Sequence, residues 1–208
     1  KILEQNVPLY VGMPYDLQEH CQNLVMQFIE DKLFEPCGGI ETVTEEMMVT
    51  IAGNAVIPIL GRPTDIYRSV RTILIYPSTF FQNEKPEAGH RLGEAWASGT
   101  VILAWDATRG SARDMRDGKN VAIHEFAHQL DFEDGTANGA PILEHGNQYG
   151  VWAEVLGKEF ERLTAATAKG QKTVMDDYGA TNPAEFFAVA SEAFFEKARV
   201  MERKHPEL

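Results

Sequence analysis

Two histidines four residues apart, with a glutamate directly after the first, are the residues of this sequence best suited to chemistry. His124, Glu125 and His128 occur in the stretch NVAIHEFAHQLDFEDG, residues 120–135. On a helix, residues i and i+4 lie one above the other, so both imidazoles can reach one tetrahedral zinc ion. Glu125 would lie about 100° around the helix, beside a water whose pKa zinc lowers to roughly 7. The pattern predicts a metal site in which Glu125 takes a proton from that water.

A buried helix that merely carries two histidines in its core is the alternative interpretation. The residues around the polar trio are apolar: Ala122, Ile123, Phe126, Ala127 and Leu130. Two imidazoles and a carboxylate without partners would be costly there, because burying an unpaired polar group opposes folding. The composition also makes a chance match to H-E-x-x-H improbable. The motif therefore favours a metal-binding helix.

A catalytic zinc site needs a third protein ligand, and the motif does not supply one. The extension H-E-x-x-H-x-x-G-x-x-H fails here, because Asp131 stands at the glycine position and Asp134 at that of the last histidine. Asp134 could still bind the metal through a tight turn. Two other candidates, Glu154 and Glu185, follow on predicted helices. Two interpretations of Asp131 stay open: it is a C-cap, or it accepts a hydrogen bond from the distal N–H of a ligand histidine.

Glu185 lies in DYGATNPAEFFAVASEAFF, residues 177–195, where a second reading competes with metal binding. Asn182 is a suitable N-cap, Pro183 a suitable first helical residue, and Glu185 would be the carboxylate of a capping box. Periodicity alone favours the cap. Glu192 is one heptad further on and faces the same way, so it also competes, as a ligand, a salt-bridge partner or an acceptor for a ligand histidine.

The predicted elements that carry these residues are mostly helical. Apolar spacing predicts helices over residues 16–35, with Asp16 as cap, 42–61, 117–130, 151–170 and 181–199, strands over 69–77 and 100–106, and a long loop or hairpin arm over 82–99. The strands come early and helices outnumber them. This order predicts an α+β fold, with a small sheet preceding the H-E-x-x-H helix. The strand just before that helix is the expected edge strand, where a peptide could add.

Length and composition predict one domain over residues 1–208. The net charge of −12 disfavours direct binding of nucleic acid, because an acidic chain repels phosphates. No run of 18 apolar residues occurs, so we expect no membrane span. Cys21 and Cys37 have no metal or redox spacing, and no signal peptide is visible. We expect a cytoplasmic protein, although the chain begins at Lys1 and a leader could have been removed.

Two segments of the sequence resemble the Mlc titration factor A family of bacterial zinc peptidases. They are HEFAHQLD, within residues 120–135, and YGATNPAEFFAVASEAFF, residues 178–195. The run YG-x-T-N-x-A-E-F-F-A is also similar to the protease domain of anthrax lethal factor. The resemblance implies a zincin-like metallopeptidase fold, and it favours Glu185 over the other carboxylates as third ligand.

Matched residue by residue, the resemblance implies a gluzincin-like site. His124, His128 and Glu185 would bind one zinc ion per chain, and Glu125 would be the general base. Tyr178 would help to stabilise the oxyanion, since a phenol donor aimed at developing charge favours a tetrahedral intermediate.

The resemblance also implies a function and a partner. The function is zinc-dependent hydrolysis of a peptide or protein substrate, with aminopeptidase and endopeptidase action both open. The best-known family member binds a transcriptional repressor of sugar-uptake genes, so a DNA-binding repressor is an implied partner. The alternative is a non-catalytic zinc-containing protein that sequesters a regulator. A protein that only binds would not need Glu125, which favours the enzyme.

Overall fold

The computed structural model describes residues 1–62, 66–79, 99–114 and 117–208. The helices in these ranges are α1 (Ile2–Asn6), α2 (Pro8–Val11), α3 (Tyr15–Asp31), α4 (Glu45–Val56), α5 (Trp105–Arg113), α6 (Val121–Asp131), α7 (Tyr149–Ala168), α8 (Pro183–Glu196) and α9 (Ala198–Lys204). The strands are β1 (Leu33–Pro36), β2 (Thr72–Tyr76) and β3 (Thr100–Ala104). Short 3₁₀ turns cover Ile57–Ile59, Phe132–Asp134, Gly146–Gln148 and Asp177–Ala180. The predicted loop or hairpin arm over 82–99 lies outside the described residues, apart from Gly99.

The three strands form a parallel sheet in the order β1-β2-β3. Ile73 and Ile75 of β2 and Val101 and Leu103 of β3 are fully buried, as expected for parallel strands beneath helices. Helices together with this small sheet confirm the α+β prediction. None of the helices in the described ranges has both the length and the hydrophobicity of a membrane-spanning segment.

Two features of the region around the sheet were not predicted. The sequence predicts a helix that continues to residue 35, but Leu33–Pro36 form β1, which is held by a bond from Leu33 N to Arg71 O of 2.9 Å. This pairing partner is distant in sequence, so local periodicity could not reveal the strand. The second feature is α5, which separates β3 from α6, so the strand does not lead directly into the motif helix.

Two helix starts also differ from the predictions. The first long helix is capped by Pro14, and Asp16 lies in its first turn. The motif helix begins at Val121 rather than near Asp117, because Asn120 is its N-cap and accepts a bond from Ile123 N at 3.1 Å. An asparagine in this position satisfies a backbone donor that the helix itself cannot satisfy.

Aromatic packing anchors α6 to the sheet side of the molecule. The ring of Phe126, on α6, lies 5.4 Å from that of Phe28 and 4.9 Å from that of Tyr67. All three side chains are fully buried or nearly so. The Tyr67 hydroxyl donates to Ala55 O at 2.6 Å and so joins this cluster to α4. One face of α6 is thereby fixed in the larger core.

A second apolar cluster holds α8 against α7 and α9. Its buried members include Leu163, Phe186, Val189, Ala193 and Met201. Gly179 lets the Asp177–Ala180 turn approach this cluster closely, because a Cβ there would lie 3.0 Å from Leu163 and 3.2 Å from Val189. Helices α6 and α8 pack against each other between the two clusters. Their facing sides therefore carry the candidate site.

Candidate metal centre

Helix α6 brings the two motif histidines together. His124 and His128 are one helical turn apart on α6, and their Nε2 atoms are separated by 3.1 Å. The His128 side chain is only 1% exposed, whereas that of His124 is 16% exposed. The pair therefore presents two imidazole nitrogens to one point that solvent reaches from the His124 side.

Helix α8 adds a carboxylate at the same point. Glu185 Oε2 lies 3.1 Å from His124 Nε2 and 3.3 Å from His128 Nε2. In tetrahedral zinc coordination with bonds of about 2.0–2.1 Å, ligand atoms are about 3.3–3.4 Å apart. The three atoms thus have nearly the mutual spacing that one such ion requires. Among the described residues, this is the one group of three or more His, Cys, Asp or Glu side chains that could hold a metal.

Capping and metal binding, the two interpretations of Glu185, involve different atoms of the residue. Its backbone N–H donates to Asn182 Oδ1 at 3.0 Å, with Pro183 as the first helical residue, so the N-cap exists as the sequence predicted. The carboxylate points to the histidines instead of back to the cap. The cap therefore places the residue, and the side chain remains available for a cation.

Glu192 contacts the other nitrogen of His124. Its Oε1 lies 2.7 Å from His124 Nδ1, and its Oε2 accepts a bond from the backbone N–H of Asn120. In the neutral imidazole, a bond from Nδ1–H to this carboxylate leaves the Nε2 lone pair directed at Glu185 and His128. This is the tautomer that a metal ligand needs. Glu192 therefore belongs behind the site and not in it.

Asn120, which donates its backbone N–H to Glu192, belongs to a buried hydrogen-bond network. Besides capping α6, Asn120 donates through Nδ2 to Asn54 Oδ1 at 2.9 Å and to Glu196 Oε1 at 3.2 Å. Burial raises the pKa of Glu196 to about 8. This carboxyl is accordingly mostly neutral near pH 7, which limits the negative charge next to Glu192. The sequence signal for Asn120 is its position directly before the motif helix, where asparagine is a preferred N-cap.

The pKa values of the central groups reflect their mutual contacts. Burial by itself would lower the pKa of His124, but its bonds with Glu185 and Glu192 outweigh burial and raise the pKa to about 10. Burial by itself would raise the pKa of Glu185, but contacts with His124 and His128 lower it to about 2. The centre thus favours a positive charge between two carboxylates. A divalent cation would supply that charge in place of the imidazolium proton.

Tyr178 and Glu125 lie beside the three candidate ligands. The Tyr178 ring centroid is 6.1 Å from that of His124, and the side chain is half exposed. Burial and the charges of Glu185 and Glu125 raise the pKa of Tyr178, so the phenol keeps its proton. Glu125 also acts on the pKa of His124. Tyr178 therefore lies beside His124, and Glu125 is close enough to both residues to affect their pKa values.

The other carboxylates that the sequence singles out lie outside the triangle of ligand atoms. Asp131 is buried and accepts bonds from the backbone N–H groups of Gly139 and Ala140, both at 2.8 Å. Asp134 accepts from Thr136 in an exposed turn, and Glu154 is exposed on α7. The structure therefore brings Glu185, and neither Asp134 nor Glu154, to the histidines.

Comparison with known proteins gives matches over the whole chain. Residues 1–208 match the family described as glucose-regulated metallo-peptidase M90. The chain is 35% identical to an uncharacterized protein of Synechocystis over 217 residues, which cover 100% of this chain and 78% of the relative. It is 29% identical to the Mlc titration factor A of Yersinia pestis over 213 residues, covering 97% of this chain and 77% of the relative. The similarity therefore extends well beyond the two motif segments.

Proposed function

Because the chain belongs to the glucose-regulated metallo-peptidase M90 family, we propose that it is a zinc-dependent peptidase with His124, His128 and Glu185 as the zinc ligands. The observation that carries the proposal is the triangle of ligand atoms, with mutual distances of 3.1, 3.1 and 3.3 Å. Two imidazoles and one carboxylate are a typical donor set for catalytic zinc, which leaves a position for water or substrate. This agrees with the family resemblance of the motif segments, now confirmed over the whole chain.

Each side chain of the site has a separate role in hydrolysis. Bound zinc would polarise the scissile carbonyl and lower the pKa of water to about 7. Glu125 takes the proton of the attacking water and returns it to the leaving amine. Tyr178 donates a hydrogen bond from its phenolic O–H to the carbonyl oxygen as negative charge develops there. Glu192 holds His124 in the tautomer that directs Nε2 to the site.

The wider architecture is consistent with this role. We assign residues 1–208 to a single zincin-like catalytic domain, in which helix α6 supplies the motif and α8 the third ligand. Strand β3 pairs with β2, and no other strand among the described residues pairs with β3. An extended peptide substrate would add along β3 by backbone hydrogen bonding.

A second candidate function follows from the name of the Yersinia relatives, Mlc titration factor A. Together with the family resemblance of the motif segments, the name suggests for this chain a DNA-binding transcriptional repressor as partner, either as substrate or as a sequestered ligand. In the sequestering case, the zinc site would stabilise the binding protein without catalysing hydrolysis. We propose that either function takes place in the cytoplasm.

Replacement of Glu125 by Gln tests the enzyme against the sequestering protein. Gln is nearly isosteric and Glu125 is no ligand in this scheme, so zinc occupancy should match the wild type. Gln cannot accept the proton, so peptide hydrolysis should fall by at least about 10²-fold. The measurement combines cleavage of a peptide panel, zinc analysis and binding of purified Mlc repressor on the same preparations.

The matched control is Glu161→Gln, which changes an exposed carboxylate on α7 and should leave cleavage unchanged. A wild type that cleaves no peptide, with wild type and Glu125→Gln binding the repressor equally, would reject the peptidase and favour the sequestering protein. Absence of zinc from the purified wild type, and no uptake on titration, would reject the metal site itself.

A further inference from the structure

We propose that Gly139 is a positioning residue for Glu185, and that it aligns the two helices whose side chains form the metal site. Gly139 is eight residues beyond Asp131, the last residue of α6. It also lies against Pro183, the first residue of α8. The inference rests on the proposed function in one respect, that Glu185 is a zinc ligand.

Three contacts hold Gly139 in place. Its N–H donates to Asp131 Oδ2 at 2.8 Å, and the neighbouring N–H of Ala140 donates to Oδ1 of the same carboxylate. Its carbonyl accepts a bond from Trp152 Nε1 at 2.9 Å. The Trp152 ring in turn packs against Phe187 of α8, at 5.9 Å between centroids. Gly139 is thus tied to the end of α6, to α7 and, through Trp152, to α8.

The fourth contact explains why this residue is glycine. Gly139 has φ +80°, and a Cβ would lie 2.6 Å from Pro183 O and 3.0 Å from Pro183 C. Contacts this short with backbone atoms cannot persist, so the loop or the first turn of α8 would have to move. Pro183 is two residues before Glu185 in that turn. Any shift of its carbonyl is therefore passed to the candidate ligand.

A small displacement is enough to matter for a metal. Ligand distances are set to within about 0.2 Å, whereas relief of a 2.6 Å contact with Pro183 O requires a shift of several tenths of an ångström. His124 and His128 lie on α6, which the Phe126 cluster holds separately. The shift would therefore change the position of Glu185 relative to the histidines and not move the three together.

The test compares Gly139→Ala with Gly135→Ala. Gly135 lies in the same loop at φ +91°, but nothing is within 4 Å of a Cβ there. Both variants bear the cost of a left-handed alanine, and only the first meets Pro183. We expect Gly139→Ala to raise the zinc dissociation constant by about 10–100-fold, the range for partners behind a ligand, and Gly135→Ala to change it by less than about 3-fold. The measurement is chelator competition, with circular dichroism as the check on folding.

A double variant distinguishes positioning of Glu185 from a general effect on the fold. In a Glu185→Ala background, Gly139→Ala should not weaken the remaining zinc binding any further, because the residue through which it acts is gone. An equal loss of affinity in both backgrounds would overturn the proposal, as would equal affinity of Gly139→Ala and Gly135→Ala. A wild type that binds no zinc would instead overturn the proposed function, and this inference with it.

If Gly139→Ala does not fold, Trp152→Phe decides. This change keeps a ring against Phe187 but removes the donor to Gly139 O. It should weaken zinc binding by about 5-fold, the equivalent of the roughly 1 kcal/mol that one hydrogen bond contributes, and again only when Glu185 is present. Unchanged zinc affinity in a folded Trp152→Phe protein would reject Gly139 as a positioning residue.

Discussion

At the scale of single residues, the proposed catalytic role of Tyr178 depends on its phenolic hydroxyl alone. Its phenol stays protonated beside Glu185 and Glu125, because burial and both charges raise its pKa. Tyr178→Phe removes only the hydroxyl, so fold and zinc content should be unchanged. Loss of an oxyanion donor should lower turnover by roughly 10²–10³-fold. Steady-state peptide cleavage with zinc analysis checks this.

The control for Tyr178 is Tyr15→Phe, which removes the hydroxyl of a tyrosine that is 82% exposed at the start of α3. It should have wild-type turnover. If Tyr178→Phe also keeps wild-type turnover, the phenol has no part in catalysis, and stabilisation of the oxyanion must come from other groups.

At the scale of elements, α8 presents two carboxylates of different function to α6. Glu185 faces the Nε2 atoms of both histidines, whereas Glu192 contacts His124 Nδ1 and Asn120 N. Glu185→Ala should therefore cut zinc affinity sharply by removing a ligand. Glu192→Ala should cost only about 10–100-fold, the usual effect of losing a partner behind a ligand. Zinc competition titrations measure both.

Glu154→Ala is the matched control for the two glutamate variants of α8. Glu154 is a candidate zinc ligand from the sequence, but it is exposed on α7. It should bind zinc like the wild type. Retention of zinc by Glu185→Ala together with its loss from Glu192→Ala would exchange the two roles, and the cap formed by Asn182 would then be the whole function of Glu185.

At the scale of the whole molecule, zinc would join α6 to α8, and so link the two apolar clusters that hold them. A ligand that binds only the folded state stabilises it by mass action. We therefore expect zinc to raise the melting temperature, by an amount that depends on pH because protons compete for the same atoms.

The sign of the pH dependence follows from two pKa values. The pKa of His124 is raised from 6.5 to about 10 without metal, so its stabilising contribution is full below about 6.5 and is lost as pH rises through about 10. The pKa of Glu185 is lowered from 4.5 to about 2, so its contribution is present above about 4.5 and lost as pH falls through about 2. Between about pH 4.5 and about pH 6.5, the metal-free protein therefore has the full stabilising contribution of both groups.

Zinc must displace the His124 proton, so the melting-temperature difference between zinc-loaded and metal-free protein should grow from about pH 6 to about pH 9. It should be small near about pH 5. Calorimetry with and without zinc at each pH measures it. His20→Ala, which changes an exposed histidine of α3, should keep the same profile. A difference that is constant over this range, or persists in full at about pH 4, would contradict ligation by histidine.

The sequence by itself determined the features that depend on near neighbours. The spacing of His124, Glu125 and His128 places them on adjoining faces of any helix, whatever surrounds it. Asn182 and Pro183 mark the start of α8 for a similar reason, since capping involves atoms within one turn. The α+β class also followed from periodicity. The resemblance of the motifs to a peptidase family is likewise a property of the sequence, and it selected Glu185 before any geometry did.

Only the tertiary structure decided which distant groups meet. Glu185 is 61 residues from His124, and Glu192 is 68, so no local rule could bring either carboxylate to a particular nitrogen. Their places result from long-range packing, with Phe126 held in one cluster and the buried face of α8 in the other. Strand β1 and the contact of Gly139 with Pro183 were hidden for the same reason. Periodicity reports which face of an element is buried, but the partner on that face is selected by the fold as a whole.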